Sequence, residues 1–227
     1  MRTITETYHA YTYDELTPKA QDKARDWWRS CDDQDSYPWW DFVYEDFERI
    51  CGVIGVELNT IQIPLMNGST RPQPDIRFSG FWSQGDGASF TGTWTYKPDA
   101  ITNIKEYAPQ DETLHRIATD LAIIQGQLDC KTDHEGSASA EIARLSSHYV
   151  HASTMRAELA EWESEHDETD KWDELSEGVT EAVRDLANWL YKTLEDEWNY
   201  RRSDEQVAEN IRANEYEFLE DGTHCMG

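Results

Sequence analysis

The sequence predicts an α+β fold, an antiparallel sheet with helices packed on one face. Two observations carry this. From Ala88 to Tyr96 the side chains alternate strictly: Ala88, Phe90, Gly92, Trp94 and Tyr96 share one face, and Ser89, Thr91, Thr93 and Thr95 share the other. That is the period of a strand. From about Lys171 to Tyr200, Leu175, Val179, Val183, Leu186, Leu190, Leu194 and Trp198 recur on one stripe, which is the period of a helix. The chain of 227 residues is long enough to bury a sizeable core. It reads as a single domain over 1–227, with an N-terminal helical pair at about 17–51.

Thr17-Pro18 opens the first helix, because proline suits the first helical position. Ala20, Ala24, Trp27, Trp28 and Cys31 follow at helical spacing, and Asp32, Asp33 and Asp35 end it. Ser36 and Pro38 open a second helix, striped by Trp39, Trp40, Val43, Phe47 and Ile50. Its tryptophans and those of the first helix serve either as core or as an interface; core packing is the commoner role. Val53 to Ile63 is β-branched and predicts a strand, whose alternation slips near Thr60-Ile61 as at a bulge. Met66 to Pro74, rich in Gly, Ser and Pro, reads as a loop.

A hairpin at about 76–96 is the centre of the predicted sheet. Pairing Ser83 with Gly87 leaves Gln84-Gly85-Asp86 as a three-residue loop. That register sets Gly80 opposite Phe90 and Phe78 opposite Gly92, each glycine under a ring. Pro98 ends the hairpin, and Asp99 caps a short helix to about Tyr107. A longer helix runs from roughly Asp111 to Leu128, with Leu114, Ile117, Ala118, Leu121, Ile124 and Leu128 on its apolar face. Asp129 to Thr132 leads into an extended segment. Ser139–Leu145 and Tyr149–Leu159 predict a second hairpin turning near Ser146-Ser147-His148, although its alanines also suit a helix. After the long helix, Ser203 and Gln206 form a capping box for a helix to about Ala213, with Asn214 at its C-cap. Tyr216 and Phe218 alternate with Glu215 and Glu217, as in an edge strand guarded by acids.

The run FSGFWSQGDGASFTG, from Phe78 to Gly92, resembles a motif of a family of uncharacterised bacteriophage and prophage proteins. The run ANEYEFLEDG, from Ala213 to Gly222, is similar to the end of the same family. There the two runs flank a helical region, as they do here, so the resemblance covers roughly Phe78 to Gly222. It implies a phage source and transfers no activity.

Lys and Arg number 20 against 46 Asp and Glu, a formal net charge of −26. Such a field disfavours direct binding of nucleic-acid phosphate. It fits solubility, adaptation to high salt, or mimicry of nucleic acid toward a protein that binds it. No apolar run approaches the roughly twenty residues of a membrane span, and MRTITETYHAYTYDEL has no apolar signal core. The expected location is the host-cell cytoplasm. Cys31, Cys51, Cys130 and Cys225 are far apart and form no C-x-x-C pair, so reduced thiols are expected.

The stretch Ser83, Gln84, Gly85, Asp86 and Gly87 is a candidate ligand site, its amides suited to an anion; equally, a tight turn by itself demands Gly and Asp. In a strand His148 and His151 fall on opposite faces and make a poor metal pair; in a helix their i, i+3 spacing would bring them together, but no Cys or acidic partner stands at metal spacing. Neither a metal nor a cofactor is expected. There is no G-x-S-x-G elbow, H-E-x-x-H or kinase signature, and no residue is assigned a catalytic role.

The expected function is therefore that of an acidic, phage-encoded interaction protein. It would bind and inhibit a host protein, a defence factor or one that handles nucleic acid, with mimicry as one route. The candidate partner surface comprises Glu161, Glu163, Glu165, Asp167, Glu168, Asp170, Asp173, Glu174, Glu177, Glu181 and Asp185. Two alternatives stand beside it: a ligand-binding protein or enzyme with a pocket at 83–87, and an antitoxin-like neutraliser of one cognate protein.

Overall fold

The computed structural model describes residues 9–31, 38–66, 68–131, 137–146, 148–160 and 169–225. The chain begins with β1 (Tyr11–Thr12), α1 (Pro18–Cys31) and α2 (Asp41–Ile54). Six short strands follow: β2 (Val56–Leu58), β3 (Thr60–Pro64), β4 (Thr70–Pro74), β5 (Ile76–Phe78), β6 (Ala88–Phe90) and β7 (Gly92–Thr95). Then come α3 (Ala100–Tyr107), α4 (Glu112–Lys131), β8 (Ser139–Arg144) and β9 (Met155–Leu159). The last elements are α5 (Thr169–Arg201), α6 (Asp204–Ala213) and β10 (Glu217–Phe218). The fold is α+β, with antiparallel sheets and a long C-terminal helix.

The chain forms two compact units. One takes Met1–Trp39 with Glu195–Gly227, the other Trp40–Leu194. In the first, β1 pairs with β10, and the core joins Tyr13, Leu16, Ala20 and Ala24 to Val207, Ile211 and Phe218. Trp27 packs at the edge of that core. Its ring stacks on His224 at 3.9 Å and meets Tyr216 and Phe218 edge-on. Arg29 donates to Asp26 and Asp204, tying α1 to α6. Ser203 caps α6 by accepting from the Gln206 amide, and Asn214 takes the C-cap, as the sequence pattern requires.

In the second unit the main sheet has the order β2-β7-β8-β9, all antiparallel. Val56, Trp94, Ala140 and Leu159 form one buried row across it. The stripes predicted for α2, α4 and α5 are buried: Val43, Phe47 and Ile50; Leu114, Ile117 and Leu121; Val179, Val183 and Leu186. Thr180 docks α5 on β9, donating its hydroxyl to the Ala157 carbonyl at 3.1 Å and accepting the Ala157 amide at 2.9 Å. Asp111 caps α4 through the Leu114 amide and accepts from Trp189 Nε1 at 2.6 Å, so one carboxylate joins α4 to α5.

The strands depart from expectation in two ways: helices run on where strands were expected, and segments change partner part-way along. The predicted strand Val53–Ile63 starts later, because α2 continues to Ile54 and ends at Gly55, whose φ is 94°. The alternation slip is not a bulge but a change of partner at Asn59: β2 pairs with β7, and β3 pairs with β4. Met66–Pro74 is not all loop, since β4 occupies Thr70–Pro74. The hairpin 76–96 likewise divides at Thr91 into β6, paired with β5, and β7 in the main sheet. Its register is shifted by four residues, with Ile76 opposite Phe90 and Phe78 opposite Ala88. Gly80 therefore does not lie under Phe90; it belongs to a longer loop and takes φ 104°. The second hairpin exists as β8–β9, but its connection runs from Leu145 to Thr154, and Asp129–Lys131 continue α4 rather than starting a strand.

Candidate functional site

Three chain segments, 56–64, 70–78 and 88–95, each change strand partners at a single break residue. The breaks are Asn59, Asp75 and Thr91, and their backbones close a ring. The Asn59 amide donates to the Thr91 carbonyl at 2.9 Å, Thr91 to the Asp75 carbonyl at 3.2 Å, and Asp75 to the Asn59 carbonyl at 2.7 Å. Every inner-edge amide at this three-way junction is thereby satisfied although no strand is continuous.

The same three side chains clasp one another. Thr91 Oγ1 donates to Asp75 Oδ2 at 2.7 Å and accepts from Asn59 Nδ2 at 3.2 Å. Arg144, from the end of β8, donates Nη1 to the Asp75 carbonyl and Nη2 to Asp75 Oδ2. The Asp75 and Arg144 side chains are only 10% and 8% exposed. Burial would raise the Asp75 pKa, but the hydrogen bonds of Arg144 and Thr91 and the positive charges of Arg144 and Arg77 outweigh it, holding the carboxyl below its usual range. Among the described residues nothing donates a hydrogen bond to Asp75 Oδ1, and Arg77 Nε stands 3.9 Å from it.

Beside the junction opens a cleft of about 540 Å³, lined by Asn59, Arg77, Thr91, Glu141, Arg144 and Ser146 among others. Its volume is that of a small-molecule site. Arg77, Arg144 and Glu141 line it, and both arginines also lie against Asp75, which offsets part of their charge. The cleft favours polar hydrogen bonding over capture of a strong ion. Sequence reasoning singled out neither Asp75 nor Arg144. The only local signal was the broken alternation beside Asn59.

The 83–87 loop lies on the segment after β8. A Cβ on Gly85 would come within 2.5 Å of the Tyr149 ring, and one on Gly87 within 2.8 Å of His151 Cα. Asp86 Oδ2 accepts from the amides of Trp82 at 2.9 Å and Ser83 at 2.6 Å. Those amides are the ones an anion would seek, and the chain's own carboxylate already holds them. Ser83 also accepts the Asp86 amide on its carbonyl, which closes the turn. Gln84 is exposed at the tip, and Trp82 is 83% exposed beside it. His151 Nδ1 accepts from the Ser153 amide at 3.0 Å. Among the described residues no group of three His, Cys, Asp or Glu is arranged to hold a metal ion.

Of the acidic surface, Glu161, Glu163, Glu165, Asp167 and Glu168 lie outside the described residues, as does the side chain of Asp170. Asp173, Glu174, Glu177 and Glu181 are exposed on α5, and Asp185 is half-buried there. Two of these are partly neutralised: Arg184 pairs with Glu177 at 3.1 Å and Arg116 with Asp185 at 2.8 Å. The exposed face of the main sheet adds a row that sequence reasoning missed. Glu57, Thr93, Glu141 and Glu158 are consecutive partners across its four strands. Glu141 directly faces Glu158, an unfavourable like-charge pair, which Arg156 relieves by lying 3.2 Å from Glu158.

No helix among the described residues is long and apolar enough to cross a membrane. No curated protein and no solved structure matches the chain. Residues 39–204, which take in α2, the junction, the cleft and all of α5, match a family described as a domain of unknown function (DUF8835), and the chain belongs to that family.

Proposed function

We propose that the protein is a non-catalytic interaction protein whose acidic surface engages a basic protein. The observation that carries this is the outward stripe of α5, where Asp173, Glu174, Glu177 and Glu181 follow one another at helical spacing, with the half-buried Asp185 at its end. A helix rises about 1.5 Å per residue, so the stripe spans about 18 Å with acids roughly a turn apart. The Glu57–Glu141–Glu158 row repeats the pattern on the sheet, at a spacing of about 5–10 Å. With a formal net charge of −26, such surfaces attract a cationic groove and repel nucleic acid itself. The resemblance to bacteriophage proteins makes a host protein that handles nucleic acid the expected partner, with inhibition by occupancy of its groove as the mechanism.

The test begins with affinity capture from host lysate at low and high salt, followed by titration of the purified partner. Binding should weaken as salt rises, and the partner's own nucleic acid should compete. Combining Asp173→Asn, Glu174→Gln and Glu181→Gln should lower affinity several-fold while the circular dichroism spectrum stays that of the parent. Binding indifferent both to salt and to these substitutions would remove the acidic surface from the function.

A further inference from the structure

The β3–β4 hairpin is an arm without a core. None of the described residues from Glu57 to Pro74 is buried, and among the described strands β3 and β4 pair only with each other. Two-stranded hairpins are marginal in water by themselves. The bonds that flank this one, Leu65 amide to Ser69 carbonyl and Asp75 amide to Asn59 carbonyl, fix which groups point inward. Residues 61, 63 and 65 bond across to 73, 71 and 69. The backbone groups of Thr60, Gln62 and Pro64 therefore point out along the free edge of β3, and those of Thr70, Pro72 and Pro74 along the free edge of β4. The β4 edge is sealed, because two of its three residues lack an N–H. The β3 edge is open and offers the amides of Thr60 and Gln62.

We propose that this edge pairs with the same edge of a second copy of the chain, giving a two-fold dimer through a continuous four-stranded sheet. Antiparallel pairing about Gln62 makes both Gln62 amides donate to the partner's Gln62 carbonyl. Each Thr60 amide then meets a Pro64 carbonyl, so every amide of the open edge is satisfied, and proline stands where only an acceptor is used. Ile61, Ile63 and Leu65 share one face of the arm, and the pairing sets Ile61 beside the partner's Ile63. Charge selects a second copy as occupant. The thirteen residues Leu58 to Thr70 form the longest run in the chain without Asp, Glu, Lys or Arg. In a chain of net charge −26, this is where two copies approach with least repulsion. Because β4 is sealed, addition stops at two.

Sedimentation velocity on the full chain over a wide concentration range tests this. The mass should move from one chain toward two as concentration rises, and added salt should strengthen the dimer by screening the net charge. That is the reverse of the salt effect expected for a basic partner. Gln62→Pro removes only an outward amide, so the folded chain should be monomeric throughout. Should that variant fail to fold, Ile61→Lys places a cation on the exposed face of each arm and should weaken association at least tenfold. Replacing Pro72 and Pro74 by Thr unseals the second edge and should carry assembly past the dimer. A parent that is monomeric at every concentration, or a dimer unaffected by Gln62→Pro or Ile61→Lys, overturns the proposal and leaves the edge to another protein's strand.

Discussion

At Asp75 a single carboxylate accepts from Thr91 and Arg144 while almost wholly out of water. Buried ion pairs add little net stability, but breaking one is expensive, because the surviving charge keeps its desolvation cost. Asp75→Asn should destabilise the chain by about 3–5 kcal/mol in chemical denaturation. The sign of the pH effect follows from the depressed folded-state pKa. The unfolded chain binds the proton first, so the contribution of Asp75 is complete above the ordinary aspartate pKa and is lost as pH falls through the folded value. Melting temperature followed into acid should therefore drop more steeply for the parent than for Asp75→Asn. The glycines give a second contrast. A Cβ on Gly92 would lie 2.2 Å from the Glu57 carbonyl oxygen, so Gly92→Ala must push β2 away from β7. Gly80 meets nothing nearer than Asp86 Oδ2 at 3.6 Å, and its substitution is opposed by its φ of 104° instead. Gly80→Ala should cost about 1–2 kcal/mol and Gly92→Ala clearly more, read as shifts in denaturation midpoint.

Helices and strands differed in how legible they were. The stripe of α5 was readable because a helix bonds to itself within four residues, and its buried face recurs at the same short spacing. What docks it on the sheet was not readable. Thr180 falls on the apolar face of α5 with no local reason, and only the arrival of β9 explains it. Thr180→Val leaves the Ala157 amide and carbonyl buried and unpaired, and should cost about 1–3 kcal/mol in a denaturant titration. Ser203→Ala, which deletes the α6 cap, should cost about 1 kcal/mol. Segments 56–64 and 88–95 are visible as β-forming, whereas Thr70–Pro74 reads as loop, and each of 56–64, 70–78 and 88–95 is two strands. Alternation cannot announce this, because a segment keeps its pleat while it exchanges one partner for another. The four-residue error at Gly80 has the same origin: a shift by an even number keeps every side chain on its face, so the pattern cannot choose between the two registers.

For the molecule as a whole, charge dominates. A formal −26 on 227 residues means self-repulsion in the compact state. Melting temperature should rise as sodium chloride shortens the screening length from about 10 Å to about 3 Å. A melting temperature that does not move would mean the charges are already balanced locally, as by Arg116 and Arg184 on α5. The amino-acid sequence by itself determined the helices, the α+β class and the magnitude of the charge, because each is a sum or a short-range period. It also marked the Ser83–Gly87 turn, where the positive φ of Gly85 and the bonds of Asp86 are local requirements. Only the tertiary structure decided where the acids stand in rows, that Asn59, Asp75 and Thr91 meet, that Arg144 closes on Asp75, and that one edge of the β3–β4 arm is open. Those features depend on residues distant in sequence, brought together by backbone hydrogen bonds that nearly any residue can make, so side-chain pattern carries almost no record of them.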